Sequence, residues 1–315
     1  MTLRVASVSV DLDPLRCYYE IHGLSPFPTE LEEVVMLRAV PRFLDLFAEC
    51  GISATLFVVG QDALKGRAGH TLLRQAAQDS HELGNHSFSH PYNLSRLSAE
   101  AIETELLSCE NVLLDLRGTT QGPCGFRAPG YSLSPTLFAT LLRLGFRYDS
   151  SVFACPPYYL LKLAALSLLA LRGQRSGSIV GSPWQQFAPT QPYRPSKTQP
   201  HKRGNAPMVE LPIAVTKHLR LPAIGTFLLL SSALRRSLLS GMRQQPFFNL
   251  ELHGMDLLDA KLDEIPSELV AKQPDLRVPL HEKRAALVEI FSFLKTHAQV
   301  LPLSHIADRE LAKQA

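Results

Sequence analysis

His81-Glu-Leu-Gly-Asn85-His86-Ser-Phe-Ser-His90-Pro91 holds two histidines, His86 and His90, four residues apart. On a helical turn that spacing puts two imidazoles on one face. Neutral imidazoles bind zinc and similar divalent ions well, and two on one side need only a carboxylate to complete a catalytic metal site. By itself an H-x-x-x-H pair is weak evidence, because many such pairs are surface accidents. Its weight comes from the surrounding chain. The carboxylates stand near the start, in Ser9-Val-Asp11-Leu-Asp13-Pro, at the end of an apolar run that reads as a buried strand.

Outward from these stretches, short apolar, β-branched runs alternate with helical patterns. The strand-like runs are Val5–Leu12, Ala54–Val59, the neighbourhood of Phe126, Phe146–Val152, Val209–Val215, Phe247–His253 and Val300–Leu303. Helical stretches lie between them at Leu31–Cys50, Thr71–Leu83, Ala99–Leu116, Pro135–Leu144, Thr226–Met242 and His281–His297, with Pro41 set to kink or split the first. Such alternation implies an α/β fold, a parallel sheet covered by helices and either open or closed into a barrel. With 315 residues, 45% of them hydrophobic, the chain can bury one large core. The expected organisation is a single domain over residues 1–315, interrupted by an insertion at about 156–207.

The chemistry-bearing residues share a topological position. Asp11 and Asp13 end the first strand, His86 and His90 follow the third strand-like segment, Arg127 ends another, Asp149 lies on Phe146–Val152, and His253 ends Phe247–His253. Active sites of α/β barrels and open α/β sheets form at the C-terminal ends of parallel strands. Singly, Arg127 reads as a surface arginine and His253 as a satisfied core histidine. Together at one sheet edge they are hard to dismiss.

The chain resembles the NodB-type polysaccharide deacetylases, carbohydrate esterase family 4. Ser9-Val-Asp11-Leu-Asp13 resembles the first motif of that family, and Ala54-Thr-Leu-Phe-Val-Val-Gly60 its A-T-F-F-V-x-G strand. His81–Pro91 is very close to G-H-E-I-G-N-H-[ST]-x-x-H-P, Phe126-Arg127-Ala-Pro129-Gly130-Tyr131 resembles the third motif, and Leu250-Glu-Leu252-His253 the last. The resemblance implies a distorted (β/α) barrel that hydrolyses an N-acyl group with one divalent metal ion, zinc being the first choice. Asp13, His86 and His90 would be the ligands, Asp11 the general base, Arg127 its orienting partner and His253 the acid that protonates the leaving amine. A backbone N–H at Gly130 or Tyr131 would face the oxyanion. The first motif departs from the family's adjacent aspartates, since Leu12 separates Asp11 from Asp13; same-face projection of alternate strand residues suits a shared site. A D-x-D first motif is also similar to that of lipid-linked aminosugar deformylases. The motif that usually carries a tryptophan has none at Tyr148-Asp149, which weakens Asp149 as the partner of Arg127. Asp256 reads as a helix cap and His81 as a packing residue.

The insertion breaks the rhythm. Tyr158–Leu171 is apolar, too short and too interrupted by Lys162 to span a bilayer, and a basic Gly/Ser/Pro-rich tract follows it. It reads either as a helix buried against the core or covering a barrel mouth, or as a helix on a membrane surface with Arg172, Arg175, Lys197, Lys202 and Arg203 near anionic headgroups. A net charge of +3 shows no nucleic-acid footprint. Five cysteines (17, 50, 109, 124 and 155), widely spaced and without C-x-x-C, fit free thiols in a reducing compartment. The opening residues show no secretory pattern, so the expected address is the cytoplasm, at the inner membrane face if the insertion touches lipid. The expected activity is removal of acetyl or formyl from an amino sugar on a small or lipid-linked glycan. The competing classes are a non-catalytic metal- or carbohydrate-binding barrel and a hydrolase of non-sugar amides.

Overall fold

A computed structural model describes residues 4–313 except Cys124, Gln174 and Gln244. Its centre is β1 (Val5–Asp11), whose every residue after Val5 is buried. The parallel strands that follow are β2 (Thr55–Val58), β3 (Glu82–Asn85), β4 (Gly125–Phe126), β5 (Tyr148–Asp149), β6 (Val209–Glu210), β7 (Phe247–His253) and β8 (Gln299–Val300). They pair in the order β6-β5-β4-β3-β2-β1-β7, with β8 beside the start of β1. Helices pack around this curled sheet, as the alternation implied, and the result is the distorted (β/α) barrel that the resemblance implied.

No ladder joins β6 to β7. The gap is bridged by Asn249, whose carbonyl accepts from the Ala214 N–H at 3.0 Å and whose side-chain amide donates to the Leu211 carbonyl at 3.3 Å and to Ser150 Oγ at 2.9 Å. One buried amide thus satisfies polar groups that an open sheet edge would leave unpaired.

Two expectations change. The helix expected over Thr71–Leu83 ends at Gln78, and Glu82–Asn85 is β3. Four residues containing a glycine carry too little alternation to reveal a strand. Thr226–Met242 is two helices, Gly225–Leu228 and Ser232–Met242, the second capped by the Ser231 side chain, which accepts from the Leu234 N–H. At the other end of the chain Pro41 falls in the first turn of the helix Val40–Cys50, after a wider π-type turn over Val35–Ala39.

The inserted segment divides into two parts. Its helix, Pro156–Leu171, contains no fully buried residue; it lies over the barrel mouth as a cover, with Tyr158 packed on Tyr131 and Phe153. The tract behind it is woven into the fold: Tyr193 pairs with Glu210 of β6 and is 3% exposed, and Gln185 donates to the Ser151 carbonyl at 3.2 Å. Cys17, Cys50, Cys109 and Cys155 are free thiols, and Cys124 lies outside the described residues.

Candidate metal centre and acid–base site

Strand register lines up the functional residues. Asp11 is level with Phe57 on one side and His253 on the other, Asn85 with Phe126, and Phe126 with Asp149. His86 and Arg127 come one residue after β3 and β4, so the C-terminal ends of neighbouring strands deliver Asp11, His86, Arg127 and His253 to one mouth.

The two histidines converge without a helix. His86 leaves β3 directly, and the chain then turns through Ser87 and His90, both at positive φ (64° and 60°). Such backbone costs on the order of 1 kcal/mol or more per residue outside glycine. It is held by the Ser87 Oγ, which accepts from the His90 N–H, and by Glu105, whose carboxylate accepts from the Phe88 and Ser89 N–H groups at 3.0 and 2.8 Å. The four-residue spacing therefore works through a tight loop, correcting the helical-turn expectation.

Asp13 Oδ1 lies 3.0 Å from His86 Nε2 and 3.1 Å from His90 Nε2. His86 Nδ1 is 2.7 Å from the Arg127 carbonyl, to which it donates, so the ring is oriented with Nε2 toward Asp13. Burial pushes the Asp13 carboxyl up, but the facing His90 and His86 outweigh it and hold it well below the usual range. Burial pulls His86 down, and Asp11 and Asp13 more than restore it. The donor set fits a divalent ion: one ligand atom from each of Asp13, His86 and His90 falls within a 4.8 Å cluster, and the buried His90 Nε2 makes no hydrogen bond. Imidazole nitrogen with one carboxylate oxygen is zinc-type chemistry.

Beside this triad, Arg127 is completely buried and donates four hydrogen bonds. It gives Nη1 to Asp11 Oδ1 at 2.6 Å, Nη2 to Ser9 Oγ and Ser150 Oγ at 3.0 and 2.8 Å, and Nε to the Ser150 carbonyl at 2.9 Å. Its guanidinium lies 4.3 Å over the Phe57 ring. A Cβ at residue 84 would come within 2.7 Å of that ring, which is why the signature places a glycine there. Asp149 is not the partner of Arg127. It accepts from Ser151 Oγ at 2.6 Å and faces Glu210, and burial raises both of these carboxyls.

The opposite wall holds His253. Its Nε2 lies 3.0 Å from Glu251 Oε1 and 3.1 Å from Tyr131 Oη, while Tyr131 donates to the same Glu251 oxygen at 2.7 Å. Burial would lower His253, but Glu251, Asp13 and Asp11 push it up to about 9. Burial lifts Glu251 to about 7 against the pull of His253. Asp256 accepts from the His253 N–H at 2.9 Å in a reciprocal cap, the role expected for it. His81 packs on Phe47 and accepts from the Ala54 N–H. Asp11, Glu251 and His253 also cluster closely, but Arg127 and Tyr131 already occupy the two carboxylates.

Asp11, Asp13, His86, Gly130, Tyr131 and His253 line one cavity of 360 Å³, covered by the helix Pro156–Leu171. Of the two amides expected to face an oxyanion, the Tyr131 N–H already donates to the Ala128 carbonyl at 3.0 Å. Sequence reasoning passed over Glu251, although Asn249, Glu251 and His253 stand at i, i+2 and i+4 on β7 and so share a face. It also passed over the Tyr131 phenol, which no spacing announces.

The curled parallel sheet thus carries a carboxylate–histidine triad at its strand ends, where α/β barrels place their active sites. Residues 36–148, about a third of the chain, match the family model described as polysaccharide deacetylase. It is 28% identical over 159 residues to a peptidoglycan deacetylase of Helicobacter pylori, covering 49% of this chain and 52% of that protein. To a peptidoglycan-N-acetylglucosamine deacetylase of Bacillus cereus it is 29% identical over 82 residues, 26% of this chain and 28% of the relative. The chain thus spans about half, or less, of the length of these curated relatives. Its fold matches that of a Mycobacterium smegmatis protein described as a polysaccharide deacetylase, with TM-score 0.62 and 17% identity over 100% of this chain and 92% of the other. A Pseudomonas aeruginosa structure of the same description gives 0.57 and 15% over 98% and 91%.

Proposed function

We propose that this protein hydrolyses the N-acyl group, acetyl or formyl, of an amino sugar, with one divalent ion, zinc first, held by Asp13, His86 and His90. The observation that carries the reading is the convergence on one cavity of that triad, the Arg127-held Asp11 and the Glu251-held His253. When bound, such an ion polarises the acyl carbonyl and acidifies water. Asp11 then accepts the proton of the attacking water, and Arg127 keeps its carboxylate ionised and aimed. His253 protonates the departing amine, steadied by Glu251 and the Tyr131 phenol. The Gly130 N–H faces the developing oxyanion.

The test is release of acetate or formate from N-acetyl- and N-formylglucosamine oligomers by metal-loaded protein, with loss on chelation and recovery on adding zinc. No release from either acyl group, with metal bound, would return the protein to the binding-barrel class. Release from simple alkyl amides at equal efficiency would favour a non-sugar amidase.

A membrane-surface role for the helix Pro156–Leu171 has its own support. Leu160 is 62% exposed and Leu171 85%, and exposed Arg172 and Arg175 follow. No helix among the described residues is long and apolar enough to cross a membrane, so the contact would be peripheral, at the inner face of a cytoplasmic membrane, and would favour a lipid-linked glycan.

A further inference from the structure

Lys162 is the one residue of the covering helix whose charge faces the catalytic cavity. It lines that cavity and the adjoining crevice with Gly130, Tyr131 and Tyr158. A methyl placed on Gly130 would sit 3.7 Å from Lys162 Nζ, so the ammonium stands over the backbone turn that the proposed function sets against the acyl group. Among the described residues it makes no hydrogen bond and no ion pair; burial alone acts on it, pulling its pKa down to about 8.

Every other ionised group at this mouth has a partner. Asp11 is matched by Arg127, Glu251 by His253, and Asp13 by two imidazoles. Elsewhere in the molecule the buried Lys283 donates to the Leu258 carbonyl at 2.8 Å and feels Asp275 and Asp256. Even a half-buried lysine without a partner is costly, and Lys162 is the only one of these charges left without one. A divalent ion on the triad would make the mouth more positive still.

We infer that Lys162 recognises an anionic group of the substrate: the amino sugar carries a phosphate or a carboxylate close to its N-acyl group, and the Lys162 ammonium pairs with it. This rests on the hydrolytic reading above for the sugar but not for the anion. Lys162 acts by positioning, through a charge-assisted hydrogen bond, and touches none of the reacting atoms.

Three probes test it: N-acetylglucosamine, its 1-phosphate and N-acetylmuramate. The parent should favour at least one anionic sugar over the neutral one in kcat/KM by roughly tenfold or more, the scale of one hydrogen bond to a charged group. Lys162→Met should lose about 10- to 100-fold more on that anionic sugar than on the neutral one, chiefly in KM, and Lys162→Arg should restore most of it. The phosphate and carboxylate arms identify which anion is native. Equal losses on all three probes, or no loss on any, would overturn the inference, as would failure of Lys162→Arg to rescue a Lys162→Met variant with normal metal content and circular dichroism. Calorimetric binding in an Asp11→Asn background separates this inference from the hydrolytic one. Tighter anionic than neutral binding, lost with Lys162→Met, sustains it even if the parent turns nothing over. Equal affinities end it whatever the turnover.

Discussion

The strand-end mouth of the barrel and the helix that covers it follow opposite rules. At the mouth Asp11, His86, His90 and Arg127 are at most 2% exposed, and four hydrogen bonds fix Arg127, one of them to the Asp11 carboxylate. Over it lies a helix with no buried residue, an unpartnered lysine toward the cavity and bare leucines toward solvent. Saturation fixes chemistry, because groups locked before the reaction need no reorganisation during it. Lack of saturation leaves room for a ligand. On the proposed reading, reaction belongs to the barrel and substrate choice to the cover.

The largest effect should come from the triad. His86→Ala or His90→Ala should drop bound metal from about one equivalent per chain to a small fraction, since two protein ligands hold an ion far less well than three. Elemental analysis checks it; full occupancy in both variants would remove these histidines from the site. The same analysis separates the aspartates. Asp13→Asn should weaken metal binding, whereas Asp11→Asn should keep the metal and lose about 10²- to 10⁴-fold in kcat, the usual worth of a general base. Exchanged phenotypes would make Asp11 the ligand.

Next is a shift along the pH axis. His253 must be protonated to act as an acid, so the rate should fall as pH rises through its pKa, near 9. Glu251, the strongest influence keeping that proton on, should lose its hold in Glu251→Gln, and the falling limb of the kcat profile should move to lower pH. A limb that stays in place would show that Glu251 does not set the acid.

The smallest effect on the fold should come from the cover. Replacing Leu160, Leu163, Leu168 and Leu171 together by Ser should leave metal content unchanged and shift stability by roughly 0.5 kcal/mol or less per site, because these side chains are exposed. Binding to anionic vesicles should nevertheless drop. Vesicle binding that persists would take the membrane role away from this helix. Excision of the whole segment from Leu160 to Arg203 is a poorer test, since it also removes Tyr193, which is hydrogen-bonded to β6.

Several features were legible in sequence because they are local. β7 spans the residues that alternation marked, and β1 ends within a residue of its expected limit. Asp11, Arg127 and His253 lie where strand ends were read. The misses share a cause. β3 is too short to show a period. The His86–His90 loop depends on Glu105, fifteen residues further on, to hold its strained backbone. The pairing of Tyr131 with Glu251 spans 120 residues.

The sequence by itself determined the residue types and their order along the chain, since side-chain periodicity and strand-end position are properties of a few consecutive residues. The tertiary structure alone decided who faces whom. It set Glu251 on His253, Glu210 on Asp149, Asn249 across the sheet gap and, among the described residues, no partner on Lys162. Such pairings form when strands distant in sequence are brought into register, where burial makes each unmatched charge expensive and each match selective.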